Sequence, residues 1–121
     1  AQIDKPEDIY NNPKSIYVAN RLGSPKINIL NRTTLNTSSP DKASQLGLRP
    51  EHIKIGEGEL SGSIKTVESL GAETVVEIDF NGAEILSLYQ GTFQGQKGDK
   101  VNFAIDQNKI LFFDEKGMSV Q

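Results

Sequence analysis

The stretch from Val76 to Leu88 constrains this chain more than any other. It reads Val-Glu-Ile-Asp-Phe, then Asn81-Gly82, then Ala-Glu-Ile-Leu-Ser-Leu. Apolar and charged residues alternate from Val76 to Phe80, the period of a strand with one buried face. Asn-Gly follows, the dipeptide that most readily places two successive residues at positive φ, as a two-residue hairpin turn requires. The reading is a β-hairpin with Val76, Ile78 and Phe80 on its core face. The return strand, Glu84 to Tyr89, is expected to turn Leu86 and Leu88 to the same core.

Further strands follow from the same pattern. Leu46-Gly47-Leu48-Arg49 is a short strand ended by Pro50, and Leu60 to Leu70 is a long run rich in Ser, Thr, Val and Ile. Its apolar phase slips between Ile64 and Val67, which predicts a bulge. Val101, Phe103 and Ile105 alternate cleanly, Asp106-Gln107-Asn108 turns the chain, and Ile110 to Phe113 closes the set. Phe80, Phe103, Phe112 and Phe113 read as core. The fold class is therefore mainly β. About five to six short strands with tight turns favour a small closed or partly closed OB-like barrel, since closure removes exposed edges. An SH3-like barrel has the same periodicity.

The first residues differ in kind. Pro6 with Glu7 and Asp8, and then Asn12-Pro13, are two helix-start signals. Ile16, Tyr17, Ala19 and Leu22 supply an apolar stripe, and Gly23 with Pro25 ends it. A short N-terminal helical segment is expected over 1–25. Residues 26–45 read as a polar linker or loop with a short strand at Lys26 to Leu30, and residues 46–121 as the barrel. The linker holds two glycosylation-like triplets, at Asn31 and Asn36, of a kind that arises often by chance.

Composition excludes several function classes. With 13 Lys and Arg against 16 Asp and Glu, and a net charge of -3, the chain lacks the concentrated basic face that neutralises phosphates. No nucleic-acid partner is expected. Absence of cysteine removes disulfides, thiolate zinc sites and thiol nucleophiles. No apolar run approaches the roughly 20 residues that span a bilayer. The chain lacks an initiator Met, its one Met being Met118, so a piece of a longer protein is expected.

Catalytic motifs are missing too. Gly56 to Gly62 does not match the dinucleotide fingerprint and precedes a strand rather than a helix, and Gly91 to Lys97 lacks phosphate-loop spacing. Both read as turns. His52 is the one histidine and has no assignable nucleophile or second metal ligand, so a surface or capping role is expected. Glu57 and Glu59 read as a solvated face. No catalytic residue, metal ligand or cofactor-binding residue is assigned, and the chain is not expected to be an enzyme. Ser61, Ser63 and Lys65 are the candidates for the alternative of a stand-alone OB-type domain binding a small oxyanion.

Two sets of residues resemble a known family. Pro6-Glu7-Asp8-Ile9-Tyr10-Asn11-Asn12-Pro13, followed by Tyr17-Val18-Ala19 and Gly23-Ser24-Pro25-Lys26-Ile27-Asn28, is similar to the junction that follows the ATPase domain in sugar-type ABC importers. Downstream, Leu46-Gly47-Leu48-Arg49-Pro50-Glu51-His52-Ile53, Val67-Glu68-Ser69-Leu70-Gly71-Ala72-Glu73-Thr74, Lys97-Gly98-Asp99-Lys100-Val101 and Leu111-Phe112-Phe113-Asp114 resemble motifs of the C-terminal regulatory domain in the same order. That domain is the transport-associated OB, or TOBE-type, domain of the maltose and glycerol-3-phosphate importers' ATP-binding subunits. Tyr17, Leu22 and Ile27 depart conservatively from the family pattern. The polar stretch after Leu30 stands where the family builds further strands.

The resemblance implies a regulatory, dimer-stabilising domain of an importer for a sugar or sugar phosphate. It implies a homodimer, an upstream ATPase domain that holds ATP and magnesium, membrane permease subunits and a regulatory protein as partners. Its implied location is the cytoplasmic side, peripheral to the inner membrane. The family motif residues it singles out are Arg49, Pro50, Glu51, His52, Gly71, Glu73, Gly98 and Asp99.

Overall fold

The computed structural model describes residues 13–16, 19 and 25–120. The helices expected over 1–25 lie almost wholly outside these residues, and no α-helix of two turns or more occurs among those described. The architecture is mainly β, with strands β1 (Asn28–Asn31), β2 (Gln45–Leu48), β3 (Ile53–Ser69), β4 (Glu73–Phe80), β5 (Ala83–Gln90), β6 (Lys100–Ile105) and β7 (Leu111–Phe113). They form two antiparallel sheets, ordered β1-β2-β7 and β5-β4-β3-β6. The chain divides accordingly into two compact units, one made of Ala1–Leu48 with Gln107–Gln121, the other of Arg49–Asp106.

Seven strands are thus present among the described residues, in place of the expected five to six, and no closed barrel. The reason lies at Pro50. It has no N–H to give a ladder, and it opens a 3-10 turn over Pro50–His52 instead. β2 therefore ends at Leu48 and pairs with β1 and β7, while β3 starts a separate sheet.

In the first unit, β2 is the central strand. Gly47 is the reason it can lie so close to its neighbours, because a Cβ there would meet Phe113 Cε2 at 2.8 Å and Ile27 Cδ1 at 3.0 Å. Ala19, Ile27 and Phe113 form a buried cluster, with Ile16, Ile29 and Leu111 packed on it. The polar stretch 31–45 is tied down at several points. Asn31 caps the 3-10 turn Arg32–Thr34 through the Thr33 N–H at 3.0 Å, and the Arg32 guanidinium donates to the Ala43 carbonyl at 3.0 Å. Leu35 and Ala43 are buried within it.

The second unit is built on β3. This strand pairs with β6 twice, since Ile55 and Leu60 both stand opposite Phe103 and residues 56–59 form an excursion between them. Gly56 at φ 99° and Gly58 at φ 87° make that excursion, so the glycines expected to form a turn before the strand bend it from within. Gly62 is not a turn residue either: it lies in the strand, 2.8 Å (as a virtual Cβ) from the Asp79 carbonyl. The expected bulge is present between Ile64 and Thr66. Buried Ile53, Ile64, Val76, Ile78, Phe80, Ile85, Phe103 and Ile105 supply the unit's apolar interior. At about 1.5–3 kcal/mol for each fully buried large side chain, this set dominates its stability. Phe80 and Phe103 meet edge to face, with centroids 5.4 Å apart.

The return strand corrects the sequence reading. Ile85 and Ser87 face the core, while Leu86 and Leu88 are half-buried on the other face. A two-residue turn pairs Phe80 with Ala83, Ile78 with Ile85 and Val76 with Ser87. Even-numbered core positions on β4 must therefore continue as odd-numbered ones on β5.

Candidate functional site

Each motif residue singled out from the sequence occupies a position where the chain turns or starts a strand. Arg49 precedes the 3-10 turn, accepts the His52 N–H through its carbonyl at 2.9 Å, and is buried. Burial holds its guanidinium below the ordinary arginine pKa, because the charged form loses solvent. Pro50 is buried at the turn's first position and Glu51 is half-buried beside it. The carbonyl of His52, itself half-buried, accepts the Asp106 N–H at 3.1 Å, tying the start of β3 to the end of β6.

Gly71 and Glu73 lie at the other end of β3. Gly71, exposed and at φ 96°, makes the β3–β4 tip, and the Glu73 carbonyl accepts the Leu70 N–H at 2.7 Å across it. The Glu73 carboxylate accepts a hydrogen bond from Gln90 Nε2 at 2.9 Å. Gly98 and Asp99 hold the approach to β6. The Gly98 N–H reaches the Ile64 carbonyl at 2.9 Å, the Ile64 N–H reaches the Asp99 carbonyl at 2.8 Å, and Asp99 Oδ2 accepts the Gln96 N–H at 3.0 Å. The eight residues thus sit at the beginning, middle and end of β3 and do not converge on one point. Their arrangement shapes backbone; it offers no shared catalytic geometry.

The features that face solvent lie elsewhere on this unit. Leu70 is 55% exposed and Val67 38% exposed, both next to the β3–β4 tip. On the outer face of the sheet, Lys65 Nζ of β3 pairs with Glu84 of β5, and Thr66 Oγ1 bonds Glu77 of β4 at 3.2 Å. The hydrogen bond to Glu84 holds the Lys65 pKa above its ordinary value, and the reciprocal bond holds the Glu84 pKa below its own. Glu77 and Asp79 add their charges to the field at Lys65. This ammonium is therefore already engaged by carboxylates, which repel the small oxyanion that Ser61, Ser63 and Lys65 would have to bind.

Sequence reasoning missed two functional-looking groups. Ser87, fully buried, donates to the Ile53 carbonyl at 2.8 Å, and Thr74, also buried, donates to the Gly91 carbonyl at 2.7 Å. Correct phasing across the Asn81-Gly82 turn was the signal for Ser87, and extending the Val76, Ile78 and Phe80 alternation back by two residues was the signal for Thr74. Among the described residues, no group of three or more His, Cys, Asp or Glu side chains is placed to hold a metal ion.

Residues 46–113 match the model of the TOBE domain family. The chain belongs to that family. The TOBE match runs from β2 to β7, so it takes in the whole second unit and two of the three strands of the first. Similar proteins include an alpha-glucoside transport ATP-binding protein of Rhizobium meliloti, 28% identical over 98% of this chain and 40% of its own length. An sn-glycerol-3-phosphate import ATP-binding protein of Psychromonas ingrahamii is 33% identical over 93% of this chain and 37% of its own. A maltose/maltodextrin import ATP-binding protein of Vibrio cholerae is 27% identical over 97% of this chain and 39% of its own. This TOBE-containing chain therefore spans about 40% of the length of the curated relatives it matches.

Proposed function

We propose that this chain is the regulatory and dimer-stabilising part of the ATP-binding subunit of an ABC importer for a sugar or sugar phosphate. The observation that carries the reading is the TOBE match over residues 46–113 together with relatives named for import of a glucoside, glycerol 3-phosphate and maltose. In this reading an upstream ATPase domain binds ATP and magnesium, and this chain contributes no catalytic group. It keeps two protomers associated while the ATPase halves close and open, works on the cytoplasmic side of the membrane with permease subunits, and receives a regulatory protein. The eight motif residues act as scaffolding that fixes the ends of β3, leaving the exposed tip residues Val67 and Leu70 for contact with a partner. The carboxylates around Lys65 speak against the oxyanion-binding alternative.

Sedimentation equilibrium of the chain over a wide concentration range tests the dimer-holding role. The expected result is a concentration-dependent dimer that Leu70→Asp weakens, since a charge would be buried on association. A chain that stays monomeric at the highest concentration sinks that role for these residues.

A further inference from the structure

We propose that Asn81 is a deamidation site whose rate in the folded chain is held down by Asp79. Asn81 and Gly82 are both exposed, and Asn81, at φ 52°, is the single non-glycine residue at positive φ among those described. No heavy atom lies within 4 Å of the position that a Cβ on Gly82 would take. Gly82 thus has neither a side chain nor a crowded Cα face to hinder ring closure by the Asn81 carboxamide.

The reaction needs only water and hydroxide. The Gly82 amide loses its proton to hydroxide, and its nitrogen attacks Asn81 Cγ. A C–N bond forms, the carboxamide nitrogen takes up a proton and leaves as ammonia, and a five-membered succinimide results. Water then adds to either ring carbonyl. One opening gives aspartate and the other isoaspartate, in which the main chain runs through the former side-chain methylene. No electrons are gained or lost.

Two features of the hairpin oppose this chemistry. Gly82 N–H donates to Asp79 Oδ1 at 3.1 Å, so the attacking nitrogen is occupied. The neighbouring negative charge also disfavours the amide anion that must form. The turn is closed besides by the pairing of Phe80 with Ala83, and the nitrogen must leave this geometry by local opening before it reacts. Conversion would place a new carboxylate beside Asp79 and Glu84, which already stand opposite each other on β4 and β5. The isoaspartate form would also lengthen the two-residue turn that sets the phase of β5.

The test is peptide mapping by mass spectrometry of the whole chain held at mildly alkaline pH, as wild type and as Asp79→Ala, each in buffer and in concentrated urea. In buffer the wild type is expected to gain the amide-to-acid mass at Asn81 more slowly than in urea. Asp79→Ala is expected to raise the buffer rate about fivefold, the factor that corresponds to about 1 kcal/mol, with no change in urea. Equal rates for the two chains in buffer would overturn the proposal, as would a folded wild type reacting as fast as the unfolded one, or a conversion that maps to another asparagine. If circular dichroism shows Asp79→Ala to be unfolded in buffer, Asp79→Val, which removes both the acceptor and the charge and suits a strand, takes its place under the same criterion.

Discussion

Ser87 shows what one buried hydroxyl contributes. It has no solvent access, and its hydrogen bond to the Ile53 carbonyl joins β5 to the first residue of β3, two strands that share no ladder. Ser87→Ala leaves that carbonyl without this donor, and the expected loss is about 1–2 kcal/mol in urea unfolding. Gly62 works by absence: an added Cβ would stand 2.5 Å from Ile78 Cγ2 and 2.8 Å from the Asp79 carbonyl. Gly62→Ala should therefore cost about 1–3 kcal/mol by forced displacement of backbone, read by the same unfolding curve. Gly71→Ala is the comparison that isolates backbone strain, since nothing lies within 4 Å and only its φ of 96° opposes a side chain, a penalty of about 1–2 kcal/mol. Lys65 and Glu84 make a different residue-scale case, governed by pH. The Glu84 pKa is lowered by its bond to Lys65, so its contribution is present above the unfolded glutamate pKa and fades as pH falls through the folded value. The Lys65 pKa is raised by the same bond, so its contribution is lost as pH rises through the folded lysine value. Stability of the wild type relative to Lys65→Met should accordingly be flat around neutrality and decline at both ends. Both groups are exposed and screened, so the difference is small, and a pH series of thermal midpoints on the two chains measures it.

At the scale of elements, β3 decides how the second unit is built. Phe103 lies opposite both Ile55 and Leu60, which makes it the residue opposite which the two halves of β3 meet across the 56–59 excursion. It is fully buried and meets the Phe80 ring, so Phe103→Ala should cost about 3–5 kcal/mol and loosen both halves together. Amide exchange of Ile55 and Leu60 rising in parallel would show that loosening; exchange rising at one of them alone would argue that the halves are independent. The hairpin from Val76 to Leu88 was legible in the sequence because alternation and Asn-Gly are both local signals. Its phase on the return side was legible as well, yet Leu86 and Leu88 drew the reading away from Ile85 and Ser87. Counting across a two-residue turn outweighs choosing the more apolar residues, because the pleat leaves no freedom. The single long β3 was not legible. Gly56, Gly58 and Gly62 look alike in sequence, but two bend a strand and the third makes room for Ile78, a distinction set by strands remote in the chain.

The whole molecule owes its two units to chain order. The second unit is one continuous segment, Arg49–Asp106, whereas the first needs both Ala1–Leu48 and Gln107–Gln121. The motifs that resemble the TOBE domain were visible because each sits where backbone must turn, at Arg49-Pro50, Gly71 and Gly98, and turns leave local marks. Exposure leaves no such mark, so Leu70 and Val67 could be recognised as surface apolar residues only once burial was known. Continuity has a consequence for truncation. In the first unit, β2 is sandwiched between β1 and β7, and β7 closes one side of Phe113's buried cluster. A chain ending at Asp106 loses β7 and with it Phe113, leaving only the pairing of β1 with β2, and a two-stranded ribbon is marginal by itself in water. All the ladders of β3 to β6 lie within Arg49–Asp106 and survive the cut. Slow amide exchange at Val76 and Ile78 should therefore persist in the truncated chain, while protection at Leu46 and Leu48 falls to that of an unfolded peptide. Loss of protection at Val76 and Ile78 as well would mean that folding is all-or-none across the chain, and that the continuous segment, though it holds every partner of its own strands, is too small a core to stand without the rest.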